Sequence, residues 1–63
     1  IILSENAVKI LKYQSEGLSS AAIAEKMKLS EATVKYHSRE TYRKLGVKNK
    51  TAAIAEAKER KMI

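Results

Sequence analysis

The segment from Leu18 to Val47 constrains the fold more than any other part of this chain. It holds a short run with apolar residues at helical spacing, a break at Lys28-Leu29, and a longer run that ends at Gly46. Glycine is the usual residue just past a helix end, and the valine behind it is the usual hydrophobic contact of such a stop. Two helices joined by a tight turn are the layout of a helix-turn-helix.

Residues suited to cap a helix divide the chain into four predicted helices. The first is expected to run to about Ser15 and to stop at Gly17, and the second spans roughly two turns. No proline, strand-like alternation or internal repeat is present, so we predict an all-α fold, a single helix-turn-helix domain over residues 1–63. The capping residues are Ser4, Ser19 or Ser20, Ser30 and Asn49.

The predicted core is small, because 63 residues lie near the lower limit for a domain without staples. The chain has no cysteine and one histidine, which excludes disulfides and Cys-based or His-rich metal sites and fits a reducing cytoplasm. No apolar run approaches the ~20 residues of a membrane span, and no secretory signal pattern is present. The residues expected to face inward are Ala7, Ile10, Leu11, Gln14, Ile23, Ala24, Met27, Val34, His37 or Ser38, Thr41, Leu45, Ala53, Ile54 and Ala57.

The net charge of +6 is concentrated in one quarter of the chain. Six basic residues and a single acid, Glu40, lie between positions 35 and 50. Such a cluster is typical of a surface that binds a polyanion, although a solvated helix face with surplus lysines would look the same. The six are Lys35, Arg39, Arg43, Lys44, Lys48 and Lys50.

The third helix places long basic and aromatic side chains on its exposed side. In a helix-turn-helix, the second helix of the pair enters the DNA major groove. Lys35 and Arg39 are one turn apart, and such side chains reach guanine O6 and N7, while the ring of Tyr36 can pack on a thymine methyl. The alternative is that all three contact only phosphates or solvent.

Short motifs along the whole chain carry a family resemblance. They are L-S at 3–4, I-L at 10–11, E-G-L-S at 16–19, I-A-E at 23–25, L-S-E-x-T-V-K-x-H at 29–37, Y-R-K-L-G-V at 42–47 and N-K-T-x-A at 49–53. With them the chain resembles the LuxR-type helix-turn-helix domain, the DNA-binding output module of bacterial regulators that include the NarL/FixJ class of response regulators.

The resemblance implies that the third helix is the recognition helix of a sequence-specific transcription regulator. It implies base contacts at Lys35, Tyr36 and Arg39. Phosphate contacts are implied at four positions, to which we add Arg43 because its long side chain lies on the same basic face. The expected phosphate-contacting residues are Thr33, Arg43, Lys44, Asn49 and Lys50.

The resemblance also implies that the fourth helix joins two copies on a twofold DNA site. The side of this helix that faces away from the predicted core carries small residues, which allow two helices to approach closely. We therefore expect a weak homodimer and a palindromic site. The expected dimer contacts are Thr51, Ala52, Ala55 and Glu59.

The chain departs from the family pattern at three helix starts. Ala7, Ala22 and Ala52 stand where family members often carry glutamate, each three residues after a cap. Such glutamates would complete a capping box by reaching back to the cap amide. Thr41 also replaces a larger aliphatic residue. We expect these departures to lower stability rather than to change what is bound.

The sequence is also compatible with other functions. A sigma-factor region that recognises a promoter shares the helix layout, and a protein-interaction module could keep the fold without binding DNA. We predict no enzyme and no cofactor or metal, because paired carboxylates with a histidine and a Gly-rich phosphate loop are missing from the sequence. RNA polymerase is a further candidate partner. The chain starts at Ile1, so we expect a piece of a longer protein with a regulatory domain upstream.

The single histidine, His37, has two interpretations. It could contact phosphate or sense pH when protonated. Its position at the inner edge of the third helix favours a hydrogen-bonded structural role. For Tyr13 and Tyr42 we predict packing at the edge of the core.

Overall fold

Residues 3–63 are described by a computed structural model and form four helices. The first two residues of the predicted domain lie outside the described part. The helices are α1 (Glu5–Ser15), α2 (Ser20–Met27), α3 (Glu31–Leu45) and α4 (Lys50–Glu59). No strand occurs in residues 3–63, which confirms the all-α prediction. None of the helices in this range is long and apolar enough to cross a membrane.

Each helix begins at a predicted cap. The cap side chain accepts a hydrogen bond of 2.8–3.2 Å from the backbone amide three residues later, which satisfies one of the free donors of the first turn. Of the two serines that could begin α2, Ser19 is the cap. The four caps are Ser4, Ser19, Ser30 and Asn49.

All four helices also end in the same way, in what we call a helix stop. A residue with positive φ is followed by a large apolar residue, whose backbone N–H donates to the carbonyl five residues earlier at 2.8–3.2 Å. This is the Schellman arrangement, which satisfies a carbonyl that the helix leaves free. The pairs are Gly17-Leu18, Lys28-Leu29, Gly46-Val47 and Lys61-Met62. The sequence predicted the two glycine stops and the turn at Lys28, but not the stop at Lys61.

The core consists of two apolar clusters. The first joins α1, α2 and α3 through Ile10, Ile23, Ala24 and Val34, with Tyr13, Leu18, Met27 and Leu29 packed against it. The second joins α1, α3 and α4 through Leu11, Leu45, Ala53 and Ala57. Leu3, Tyr42, Val47, Met62 and Ile63 pack against the second cluster. The adjacent α1 residues Ile10 and Leu11 thus belong to different clusters. Because each cluster also contains an α3 residue, α3 packs against both α2 and α4.

Two of the residues predicted to line the core are less buried than expected. Ile54 is half-buried, whereas Ala53 and Ala57 are fully buried. Side chains of successive helix residues point about 100° apart. Because Ala53 packs against Leu45 and Leu11, Ile54 lies at the edge of the contact between α4 and the core. Met27 is half-buried because it lies in the last turn of α2, next to its helix stop.

A polar contact crosses the interior between α1 and α3. Buried Gln14 donates from Nε2 to Ser38 Oγ at 3.1 Å and accepts from the Tyr42 hydroxyl at 3.2 Å. The sequence predicted that either His37 or Ser38 faces inward. Ser38 is the buried residue of the two, whereas His37 is half-buried. The interior of the domain thus combines apolar packing with a satisfied polar bridge.

Candidate nucleic-acid interface

The exposed face of α3 carries the side chains predicted to meet DNA bases. Lys35, Tyr36 and Arg39 are all exposed. Tyr36 is 60% exposed, and it is the large apolar side chain that stands out to solvent in the described residues. An exposed aromatic ring beside basic side chains of the same helix can pack on a base, so the exposure of Tyr36 is compatible with the predicted base contact.

Two of the cations on this helix are paired with carboxylates. Lys35 Nζ lies 3.4 Å from Glu31 Oε2, and Arg43 Nη2 lies 2.7 Å from Glu40 Oε1. The hydrogen bond from Arg43 lowers the pKa of the Glu40 carboxyl below its usual value, and the same bond raises the pKa of Arg43. Both groups are charged at neutral pH, so the pair is an ion pair on the predicted DNA-facing surface.

A groove of about 420 Å³ runs along one side of α3. Its charged lining comes from two consecutive parts of the chain, namely α3 and the segment around the start of α4. We call it the basic groove, and its lining residues are Gln14, Ser20, Lys35, Ser38, Arg39, Tyr42, Lys48 and Lys50. The fold thus brings two predicted base-contacting residues next to one predicted phosphate-contacting residue.

Lys48 is a member of the basic groove that was not among the predicted phosphate contacts. The only sequence signal for it was its place in the basic run between positions 35 and 50. Its proximity to Lys35 and Arg39 depends on the helix stop at Gly46, which turns the chain back toward α3.

A second cavity, of about 230 Å³, lies on the other side of α3 against the start of α1. Lys44 lines it, so this predicted phosphate-contacting residue is on the opposite side of α3 from Lys50. We call it the α1-side cavity, and it is lined by Leu3, Ser4, Ala7, Tyr36, His37, Glu40, Thr41 and Lys44. Ala7, where family members often carry glutamate, is one of these lining residues, so a glutamate at this position would project into the cavity.

Two of the predicted phosphate-contacting residues take part in helix starts. Thr33 Oγ1 lies 2.7 Å from the hydroxyl of the cap Ser30, and Asn49 Oδ1 accepts from the Ala52 amide at 2.8 Å. The Asn49 oxygen is therefore used in the domain itself, which leaves its NH₂ group as the part that could donate to an anion.

The tyrosines and the histidine have distinct surroundings. Tyr13 and Tyr42 pack at the edges of the two apolar clusters, as predicted. The contact found for the half-buried His37 ring is edge-on to Tyr36, with the ring centroids 5.7 Å apart. The His37 carbonyl accepts from Thr41 Oγ1 at 2.7 Å, so the hydrogen bond at this residue involves its backbone.

The predicted dimer residues form a row along α4. Thr51, Ala55 and Glu59 are exposed, and Ala52 beside them is half-buried. Their side of α4 is turned away from the second apolar cluster, which Ala53 and Ala57 contact.

Comparison with known proteins gives the family of this domain. Residues 2–57 match the family described as "Bacterial regulatory proteins, luxR family". The chain belongs to the luxR family. The match covers nearly all of the four helices described above, and it confirms the resemblance carried by the sequence motifs.

Named relatives agree with this assignment. The chain is 39% identical over 61 residues to the HTH-type transcriptional regulator AlkS of Pseudomonas putida, covering 97% of this chain and 7% of AlkS. It is 40% identical over 52 residues to the nitrate/nitrite response regulator protein NarP of Escherichia coli K12, covering 82% of this chain and 24% of NarP. The crystal structure of the response regulator ChrA, from a heme-sensing two-component system, matches with 44% identity and a TM-score of 0.95, covering 100% of this chain and 31% of ChrA.

This LuxR-family chain therefore spans less than a third of each of these three relatives. The relatives are described as transcriptional regulators and response regulators rather than as enzymes. The four helices constitute the DNA-binding domain of a LuxR-family transcription regulator, which favours the regulator over the sigma-factor interpretation.

Proposed function

We propose that this LuxR-family domain binds a specific duplex DNA site in the bacterial cytoplasm by inserting α3 into the major groove, and that it does so as a pair of copies. The observation that carries the proposal is the exposed face of α3, where Lys35 and Arg39 stand one turn apart beside an exposed tyrosine. A helix of this kind fits the ~12 Å width of the major groove.

Lys35, Tyr36 and Arg39 are the proposed base-contacting residues. The two basic side chains present donors suited to guanine O6 and N7, and the tyrosine ring presents an apolar face suited to a thymine methyl. Arg39 has the planar guanidinium that can donate to both guanine acceptors at once, so we expect it to contribute most to sequence preference.

The proposed phosphate contacts flank this central face on both sides. Lys48 and Lys50 line the basic groove, and Lys44 lines the α1-side cavity. The phosphate backbones of a duplex border the major groove on both sides, so cations on both flanks of α3 suit a helix lying between them. The full proposed set is Thr33, Arg43, Lys44, Lys48, Asn49 and Lys50.

The pairing of two copies through α4 is the second part of the proposal. The row formed by Thr51, Ala52, Ala55 and Glu59 is small and only partly apolar. Stable interfaces usually bury upwards of ~1,000 Å², so such a row supports a weak contact that DNA binding reinforces. We expect a monomer or weak dimer in solution and two copies on one palindromic site, with half-sites about 10 base pairs apart.

Selection of bound duplexes from a random pool tests the proposal most directly. We expect an enriched palindrome, with footprints that cover both half-sites at saturation. Affinity for that site should fall steeply with salt, with a slope of log K against log salt of roughly −3 to −4 per domain if about four phosphates are neutralised. No enriched sequence, together with no shift of any duplex at low salt, would contradict DNA binding and favour a protein-interaction module.

A matched control removes a lysine away from α3. Lys9 is exposed on α1 and pairs with Glu5 at 3.4 Å, so Lys9→Ala removes one positive charge outside both cavities. We expect this variant to retain the sequence preference and nearly all of the affinity. A footprint that shows a single half-site at saturation would contradict pairing without contradicting DNA binding.

A further inference from the structure

The acidic residue in the middle of α3 stands out against its surroundings. Glu40 is the one acid among six basic residues between positions 35 and 50. Its side chain is 35% exposed and lines the α1-side cavity together with Tyr36 and Lys44. The Glu40 charge lies close to Lys44, where the proposed function places a DNA phosphate backbone. It repels that backbone, whereas the basic residues around it attract it.

The contact that Glu40 makes is with a proposed phosphate-contacting residue. Arg43 Nη2 donates to Glu40 Oε1 at 2.7 Å, a length typical of a charge-assisted hydrogen bond. The Arg43 side chain is 69% exposed, so it has room to leave the carboxylate and reach another anion. In the free domain the guanidinium is thus held by a carboxylate of its own helix.

Ion pairs on two other helices allow a comparison with the Glu40–Arg43 pair. Glu5 and Lys9 pair on α1, and Glu56 and Arg60 pair on α4, each four residues apart. Neither of these pairs lines the basic groove or the α1-side cavity. On α3 itself, Glu31 pairs with Lys35 at 3.4 Å. The Glu40–Arg43 pair differs from it in its shorter distance of 2.7 Å and in its carboxylate, which lines the α1-side cavity.

We propose that Glu40 acts as an internal competitor for Arg43, so that a DNA phosphate must displace this carboxylate before Arg43 can bind it. The inference rests on the proposed function. Glu40 is then a positioning residue of the interface that weakens sequence-independent attraction to the phosphate backbone. Removing its charge releases Arg43, so that Arg43 binds a phosphate in a larger share of the complexes.

The expected size follows from counterion release. Each additional phosphate neutralised changes the slope of log K against log salt by about −0.9. For Glu40→Gln, which keeps the shape of the side chain, this corresponds to affinity that is higher by up to about eightfold at 0.1 M salt. The gain should be similar on the selected site and on a random duplex, because phosphate contacts carry no direct sequence information.

The test is a double-mutant cycle measured by titration of a labelled duplex over a range of salt concentrations. Glu40→Gln is compared with the parent, and the same change is repeated in an Arg43→Gln background. We expect tighter binding and a steeper slope in the parent background, and little change once Arg43 is absent. Glu5→Gln removes the same charge from the Glu5–Lys9 pair and should leave the slope unchanged. Urea unfolding of each variant verifies that it is folded.

Three outcomes would overturn the proposal, and they are distinguishable. Unchanged affinity and slope for Glu40→Gln would show that the carboxylate does not compete. An equal gain in the Arg43→Gln background would show simple repulsion of DNA rather than competition for Arg43. A folded parent domain that shifts no duplex at low salt would overturn the proposed function itself, and the inference with it.

Discussion

Gln14 and Tyr42 join the first and third helices through a side-chain hydrogen bond of 3.2 Å, in which the tyrosine hydroxyl donates to the amide oxygen. The same amide donates to Ser38 Oγ, so one buried glutamine bridges two positions of α3. All three residues also line the basic groove. The bridge therefore fixes α3 against α1 directly beneath the surface that carries Lys35 and Arg39.

We expect loss of this bridge to destabilise the domain. Tyr42→Phe removes one hydrogen bond and should lower the free energy of unfolding by about 0.5–1.5 kcal/mol. Gln14→Ala also leaves a cavity and an unsatisfied Ser38 hydroxyl, and it should cost about 2–3 kcal/mol. Urea unfolding measures both. Tyr13→Phe is the control, because Tyr13 packs against the first apolar cluster, and an equal loss there would contradict a specific role for the Tyr42 hydroxyl.

Base and phosphate contacts should separate in their effect on sequence preference. Arg39→Ala and Lys35→Ala are each expected to cost about 1–3 kcal/mol on the selected site and to relax its base preference. Lys50→Ala should weaken all duplexes about equally, because a phosphate contact carries no base information. Binding measured on the selected site and on single-base variants checks this. The assignment would be reversed if Lys50→Ala changed the preferred sequence and Arg39→Ala did not.

The incomplete helix starts predict stabilising substitutions. The first turns of α2 and α4 contain no acid, and the amides of Ala22 and Ala52 already donate to the cap side chains. Glutamate at either position adds an acceptor for the cap amide and a negative charge at the positive end of the helix, so we expect a gain of roughly 0.3–1 kcal/mol each. Thermal or urea unfolding of each single variant measures the gain.

Ala7→Glu serves as the contrasting variant in that series. Ala7 is only 5% exposed, and its side chain faces the α1-side cavity, where Lys44 offers a partner and Glu40 offers repulsion. We therefore expect a smaller gain than at Ala22 and Ala52, which are half-buried rather than buried. Unchanged or lowered stability for both Ala22→Glu and Ala52→Glu would show that the cap amides are satisfied in another way.

The helix stops at Lys28 and Lys61 predict a gain from glycine. Both lysines have positive φ, 57° and 59°, a conformation that costs a residue with a Cβ about 1–2 kcal/mol. Glycine relieves that strain but loses more entropy on folding, so we expect a net gain of about 0.5–1 kcal/mol for each change. Gly46→Ala, at φ 72°, is the reverse control and should be destabilising. Equal effects of all three changes in urea unfolding would contradict this account.

Local features of this fold could be predicted from the sequence, whereas contacts between helices could not. The caps at Ser4 and Asn49 and the stop at Gly46 depend on a few neighbouring residues, so the pattern was sufficient to place them. The pairing of Arg43 with Glu40 is also local, but it competes with solvent and with other partners, and spacing alone does not decide it. The position of Lys48 in the basic groove needs the path of the chain after α3.

The described ends of the chain meet on one buried cluster. Leu3, Met62 and Ile63 all pack against the group that contains Leu11 and Leu45, so both ends of residues 3–63 are anchored on the same part of the core. Because both ends are anchored on this cluster in the folded state, a covalent linker that spans them without strain would restrict mainly the unfolded chain. Backbone cyclisation is therefore a route to a more heat-resistant domain. The linker would begin beside the α1-side cavity, which Leu3 lines, and would leave the lining of the basic groove unchanged.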